Sequence, residues 1–361
     1  MSSDSHPMRA EPPESGESEC GSSAAGGHSS FEAAVEPSVD TAERDWCAPA
    51  VLSPAEWAGA TESTEFEASQ ASVPQEPERT TVEQRQWISG QKVGRYQLEK
   101  LIGRGACGEV WSARDPVLGR MVAIKVPRLN RMKDWPWLPH AIWAEARAAA
   151  RAASLSCCVP VFDFGWADAP TCYIVMQLME VSVAELIRCG PMRPRTACRL
   201  IYSVCRKLHR AHLEGLVHCD LKPSNLLLDS NGDVFPSDFS TTMPRVLLAA
   251  ESDLFVGTLP YMAPEQLEGR AFDYDCRTDC YALGVVLYEM LAGRRPFAGE
   301  TADELVREIR RAQFRPLREA VPEIPRRLEE LVAEALSYYR HRRPPDVRLF
   351  GTHVFRTVRR S

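Results

Sequence analysis

The sequence predicts an α+β protein of two lobes, an antiparallel sheet with one helix followed by a helix-rich lobe. Three observations carry that expectation. From Val93 to Val126, short apolar runs alternate with Gly- and Pro-bearing turns. One Ala-rich helical segment follows at 138–153, and from Val183 onward the pattern is mostly helical. Strands gathered first and helices gathered later argue against an alternating parallel α/β fold.

The chain opens on a tail, residues 1–92, rich in Ser, Glu, Ala and Pro. Residues 1–90 hold 17 Asp and Glu against 4 Arg and no Lys, a balance of −13; the remainder has 39 basic and 32 acidic residues, or +7. Ordering such a segment costs more chain entropy than its apolar burial offsets, so the tail is expected to be disordered. It is either a solvated leader or the landing place of a regulatory partner, with Trp46, Trp57 and Trp87 as candidate docking points.

A first strand runs over Tyr96–Ile102 into Gly103-Arg104-Gly105-Ala106-Cys107-Gly108. A second, Glu109–Ala113, follows; Asp115–Gly119 reads as a turn and Met121–Val126 as a third strand. The helix at 138–153 starts beyond a breaker at Pro139, and strands return near Val159–Phe164 and Tyr173–Gln177. The folded body is expected to occupy 93–349, leaving 350–361 as a short basic extension. There is no internal repeat.

Composition narrows the setting. The 12 Cys form no paired framework and no C-x2-C, so they read as small buried apolar residues in a reducing compartment. The first thirty residues are polar and acidic, unlike a signal peptide. The most apolar helical run, Tyr281–Ala292, contains Glu289 and is too short to cross a bilayer. The expectation is a cytoplasmic protein with protein partners, no nucleic acid and no membrane span.

The chemistry concentrates in His218-Cys219-Asp220-Leu221-Lys222-Pro223-Ser224-Asn225. A carboxylate, an amine two residues later and an amide three residues beyond sit on one short loop. Phosphoryl transfer uses such a trio: a proton acceptor for the attacking hydroxyl, a cation near the moving charge and an oxygen ligand for a metal ion. The spacing resembles the catalytic loop of the protein Ser/Thr kinases, and other segments match that family in order. Gly103-x-Gly105-x-x-Gly108 alone would also suit a dinucleotide loop, but it leads into a strand rather than a helix, as a phosphate-covering hairpin does. Val122-Ala123-Ile124-Lys125 matches the family's V-A-I-K run, and the Ala144-Glu145-Ala146-Arg147-Ala148-Ala149-Ala150 segment resembles the E-A-x-x-A-A-A helix of bacterial members.

The resemblance, over about residues 94–348, implies a two-lobed protein kinase fold of bacterial Ser/Thr type using ATP and Mg²⁺. Asp220 would accept the proton, Lys222 would steady the phosphoryl group, and Asn225 with Asp238 would hold Mg²⁺. Lys125, oriented by Glu145, would contact the α- and β-phosphates. Residues Ile102, Gly103, Arg104, Gly105, Ala106, Cys107, Gly108, Glu109 and Val110 would form the lid over the nucleotide. Ala123, Val110 and Leu227 would enclose the adenine, beside Met176 and the connecting run Gln177-Leu178-Met179. Further implied features are Phe239 beneath the Glu145 helix, Thr258 near Asp220, a Glu265–Arg343 pair, and Asp279 bracing the catalytic loop.

Two positions depart from the family pattern. Cys219 stands where Arg is usual beside the catalytic Asp, and Ser240 where Gly ends D-F-G. Cysteine cannot make the charge-assisted contact by which that Arg holds a phosphorylated activation segment. The enzyme is therefore expected to work without a phosphate read at that position, whether on Thr241, Thr242 or Ser252. Cys219 itself is either a packing residue or a thiol open to oxidation. The alternative function is a pseudokinase scaffold that binds nucleotide without transfer. Many bacterial relatives continue into a membrane span and sensor, so here the signal is expected through the tail or a partner. The acceptors implied are Ser and Thr hydroxyls of proteins.

Overall fold

The computed structural model describes residues 86–105, 108–128, 138–168, 171–239 and 259–359. The tail before residue 86, Ala106, Cys107, Ser240, Thr241, Thr242, Ser252 and Thr258 lie outside them, and with them the expectations placed there.

The first lobe is a six-stranded antiparallel sheet. Its strands are β1 (Lys92–Val93), β2 (Tyr96–Arg104), β3 (Gly108–Asp115), β4 (Arg120–Pro127), β5 (Val161–Asp168) and β6 (Thr171–Met176), in the order β1-β2-β3-β4-β6-β5. Side chains alternate across a strand, and β4 shows the result. Val122, Ile124 and Val126 join Tyr96, Leu98, Trp111 and Val175 in one core cluster. Ala123 and Lys125 point to the other face. There the helix α1 (Leu138–Ser154) lays Ile142 and Ala146 on Cys172 and Ile174 of β6. Pro139 falls in the first turn of α1, where a missing N–H costs nothing.

The second lobe begins with a three-stranded sheet, β7 (Val181–Ser182), β8 (Leu226–Leu228) and β9 (Val234–Pro236). Helices α2 (Val183–Arg188), α3 (Pro194–Leu213), α4 (Pro264–Leu267), α5 (Cys276–Ala292), α6 (Ala302–Arg311), α7 (Leu317–Ala320), α8 (Arg326–Ala335) and α9 (Val347–Arg359) follow. The apolar α5 is the axis of this lobe, buried along most of its length and packed by α3, α8 and α9. Asp275 caps its N-terminus by accepting from Arg277 N–H at 2.7 Å. Gly293 closes it in the left-handed region at φ 67°.

Both ends of the folded body lie further out than the sequence suggests. Trp87, assigned to the tail as a docking point, belongs to the sheet core and donates Nε1–H to Pro127 O at 2.9 Å. The short, non-periodic stretch around it gives no signal of that contact. At the other end α9 runs through the expected boundary at 349/350 and buries Phe350, Val354 and Val358. Residues 350–359 read as a basic extension because Arg356 and Arg359 draw the eye, while the apolar Phe350, Val354 and Val358 recur at helical spacing.

Candidate active site

The cleft side of the sheet carries the first group of site residues. In β4, Lys125 faces α1, and its Nζ lies 2.5 Å from Glu145 Oε1 and 3.1 Å from Asp238 Oδ1. One ammonium thus serves two carboxylates drawn from a helix and a distant loop, and their titrations are linked. Burial pushes the Glu145 carboxyl up to about 7 against the pull of Lys125. Burial also opposes ionisation of Asp238, but Lys125 and Lys222 outweigh it and hold that carboxyl below its ordinary value.

The Gly-rich segment forms the β2–β3 hairpin, closed by Gly105 N–H donating to Gly108 O at 2.8 Å. A Cβ on Gly108 would lie 2.6 Å from Val126 O, so the backbone of β4 itself requires glycine there. Ile102, Gly103 and Arg104 end β2, while Glu109 and Val110 begin β3. Arg104 and Glu109 pair with each other at 3.0 Å. Val110 lies opposite Lys125, and Ala123 opposite Met176. Gln177 donates its N–H to Pro160 O at 2.9 Å, and the chain continues through Met179 to Glu180, whose N–H bonds Leu228 O at 2.9 Å. That run joins the two lobes beside Leu227 on β8.

The second group comes from the loop after α3. Lys222 Nζ lies 3.2 Å from Asp220 Oδ2, and Asn225 Nδ2 donates to Asp220 O and Oδ2 at 3.0 and 3.1 Å. The amide oxygen of Asn225 is thereby turned away from Asp220. Ser237 N–H donates to Asn225 O at 2.8 Å, and His218 Nε2 bonds Ser237 O at 2.8 Å. His218 Nδ1 accepts from Asp220 N–H at 3.2 Å, so the ring is the Nε2–H tautomer. The ring also packs on Phe239, with centroids 4.5 Å apart. Phe239 is buried in a core cluster that also includes Ala148 and Ala152 of α1.

Below the loop stands Asp279 on α5, fully buried. Its Oδ2 accepts from His218 N–H and its Oδ1 from Cys219 N–H, each at 2.9 Å, and His212 Nε2 lies 2.7 Å from Oδ2. Burial opposes its charge, but these partners prevail and hold it below the ordinary carboxyl value. Cys219 and Asp238 both lie in the left-handed region, at φ 60° and 59°. Two side-chain-bearing residues so placed in facing loops are held by their surroundings.

Sequence reasoning did not find His212 or Gln266. Gln266 donates Nε2–H to Cys219 O at 2.9 Å and accepts from Ala263 N–H at 3.0 Å. Its position directly after Glu265 was the one available signal. The expected Glu265–Arg343 pair is present at 2.8 Å.

The arrangement suits a phosphate-bearing nucleotide and a hard cation. Two lysines face the site, and the Asn225 and Asp238 oxygens are the donor type Mg²⁺ takes. Among the described residues no group of three or more His, Cys, Asp or Glu could hold a metal ion. Mg²⁺ characteristically completes its shell with phosphate oxygens and water, which fits two protein ligands. Among these residues, too, no helix is long and apolar enough to cross a membrane.

Comparison with known proteins gives a consistent picture. The family model of the protein kinase domain matches residues 96–354. Serine/threonine-protein kinase PknB of Mycolicibacterium smegmatis is 36% identical over 219 residues, 57% of this chain and 34% of that protein. PrkC of Bacillus subtilis is 32% identical over 247 residues, covering 67% and 37%. PknA of Mycobacterium tuberculosis is 36% identical over 248 residues, covering 66% and 56%. The matched region is thus from about a third to just over half of each relative's length. The crystal structure of the Mycobacterium tuberculosis PknI kinase domain aligns with a TM-score of 0.56 at 23% identity, over 76% of this chain and 100% of that one, a likeness of fold.

Proposed function

The chain belongs to the protein kinase family, and on that premise we propose that it transfers the γ-phosphoryl group of ATP to Ser and Thr hydroxyls of proteins. The observation that carries the reading is the position of Lys125, bonded to Glu145 and Asp238 at once. That contact joins the sheet, the helix and the metal-binding loop of the family in one arrangement.

Bound Mg²⁺–ATP would supply the phosphoryl group and part of the charge neutralisation its transfer needs. Lys125 binds the α- and β-phosphates, with Glu145 fixing its amine. The β2–β3 hairpin covers the phosphates with backbone N–H groups, while Ala123, Val110 and Leu227 enclose the base beside Met176, Gln177 and Met179. Asn225 and Asp238 would hold the cation. Asp220 orients the acceptor hydroxyl and takes its proton, and Lys222, 3.2 Å away, stabilises charge on the transferring group. Cys219 offers no guanidinium, which supports an enzyme that does not read an activation-segment phosphate at that position. The twelve cysteines are scattered without a paired framework, in keeping with work in a reducing cytoplasm. A regulatory partner for the acidic tail belongs to the same proposal.

The test is radiolabelled phosphate transfer from ATP–Mg²⁺ to casein and to the chain itself, comparing wild type with Asp220→Asn and Lys125→Met. Transfer lost in both variants supports the proposal. Nucleotide-induced thermal stabilisation without transfer would replace it with a pseudokinase scaffold.

A further inference from the structure

We infer that Gln266 is a positioning residue for the catalytic loop, acting on Asp220 through the carbonyl of Cys219; the inference rests on the kinase reading above. Gln266 is the third residue of α4 and almost fully buried. Its carboxamide does two things. The oxygen accepts from Ala263 N–H, the service that either Glu or Gln renders at the third position of a helix. The nitrogen donates to Cys219 O, 47 residues away in sequence.

Local helix physics accounts for the first bond only. A carboxylate would cap α4 as well and would add a favourable charge at the helix N-terminus. It has no proton for the Cys219 carbonyl, however, and would set two oxygens against each other. The amide is therefore the side chain that satisfies both partners at neutral pH.

The bonded peptide group is the one that places Asp220. Cys219 holds φ 60°, a conformation kept by a residue with a side chain only where its surroundings over-determine it. Two clamps do so from two helices: Asp279 takes the Cys219 N–H and Gln266 the Cys219 C=O, each at 2.9 Å. The Cys219 carbonyl shares its peptide plane with the N–H of Asp220, itself bonded to His218 Nδ1. Rotation of that plane would displace the Asp220 carboxylate. Where the family's usual Arg is missing, the backbone of the loop is held by α4 directly.

Gln266→Glu and Gln266→Met test this. In casein phosphorylation at about pH 8.5, both should lower kcat by roughly ten- to a hundredfold, with KM for ATP within about twofold. A carboxyl facing the Cys219 carbonyl titrates upward. On lowering the pH to about 6, Gln266→Glu should regain activity relative to wild type as its protonated form donates again, while Gln266→Met stays flat. Wild-type kcat in both variants, or no recovery of Gln266→Glu in acid, overturns the inference. Hydrogen exchange supplies a readout independent of catalysis. At about pH 8.5 Gln266→Glu should speed exchange of the 218–222 amides more than exchange of the α8 amides, because the buried ionised carboxyl also lowers overall stability. If wild type transfers no phosphate the kinase reading fails, and this exchange result then decides the clamp alone: unchanged exchange overturns it.

Discussion

Arg343 and Glu265 meet in a two-pronged ion pair, Nη1 to Oε1 at 2.8 Å and Nη2 to Oε2 at 2.9 Å, with neither side chain reaching solvent. The remaining donors of Arg343 are also used, on Ser337 O, Arg277 O and Tyr338 O. Thr278 Oγ1 donates to Glu265, and the guanidinium lies over the Tyr281 ring at 5.0 Å. A buried pair this fully satisfied ties α4 to the segment before α9.

Removing one partner strands the other charge. Arg343→Met is expected to lose about 3–5 kcal/mol of stability, whereas Arg343→Met with Glu265→Leu should recover a large part of it. Urea unfolding measures both. A single variant within about 1 kcal/mol of wild type would contradict the burial argument.

The raised carboxyl of Glu145 predicts a pH effect of definite sign. Its folded value of about 7 exceeds its ordinary 4.5, so the folded state holds a proton there that the unfolded chain releases. The stability this contributes is complete below about 4.5 and declines as pH rises through about 7, by at most about 1.4 kcal/mol per pH unit. Glu145→Gln should flatten that part of the stability–pH curve. Urea midpoints for both proteins across this range give the comparison, and parallel curves would reject the assignment.

Gly108→Ala drives a Cβ against Val126 O, a backbone atom that cannot rotate aside. The hairpin must lift from β4. The expected result is weaker ATP–Mg²⁺ binding by calorimetry, roughly tenfold, a change of about 1.4 kcal/mol. Unaltered affinity would show that the hairpin does not touch the phosphates.

The outer limits of the fold can be tested at Trp87 and Gly351. Trp87→Ala should cost about 3 kcal/mol, since it removes a buried ring and the bond to Pro127 O. Gly351→Ala would place a Cβ 2.5 Å from Cys205 Cβ and push α9 off α3, at about 1–3 kcal/mol. Unfolding free energies unchanged in both would return these segments to the tails.

Much of the cleft was legible because its chemistry is written in short, rigidly spaced runs. Lys125, Asp220, Lys222 and Asn225 lie in local motifs, and Asp238 follows at fixed distance. Glu145 was marked by the Ala-rich helix that carries it, and it meets Lys125 at 2.5 Å. Trp87 was misplaced for the opposite reason. A lone aromatic in a polar stretch carries no periodicity, and only the space beside Pro127 makes it core. The end at residue 349 failed because arginines on the outer face of α9 masked Phe350, Val354 and Val358 on the inner face.

By itself the sequence determined the two-lobed α+β order and the residue types able to handle a phosphoryl group, since both follow from local pattern and spacing. Tertiary structure decided which charges share a partner and what holds the catalytic loop. Lys125 standing between Glu145 and Asp238, His212 behind Asp279, and Gln266 on the Cys219 carbonyl are contacts across long stretches of chain. Hydrogen-bond direction and burial exist only once the backbone has brought those groups together, and these set the charge of Glu145 and the posture of Asp220.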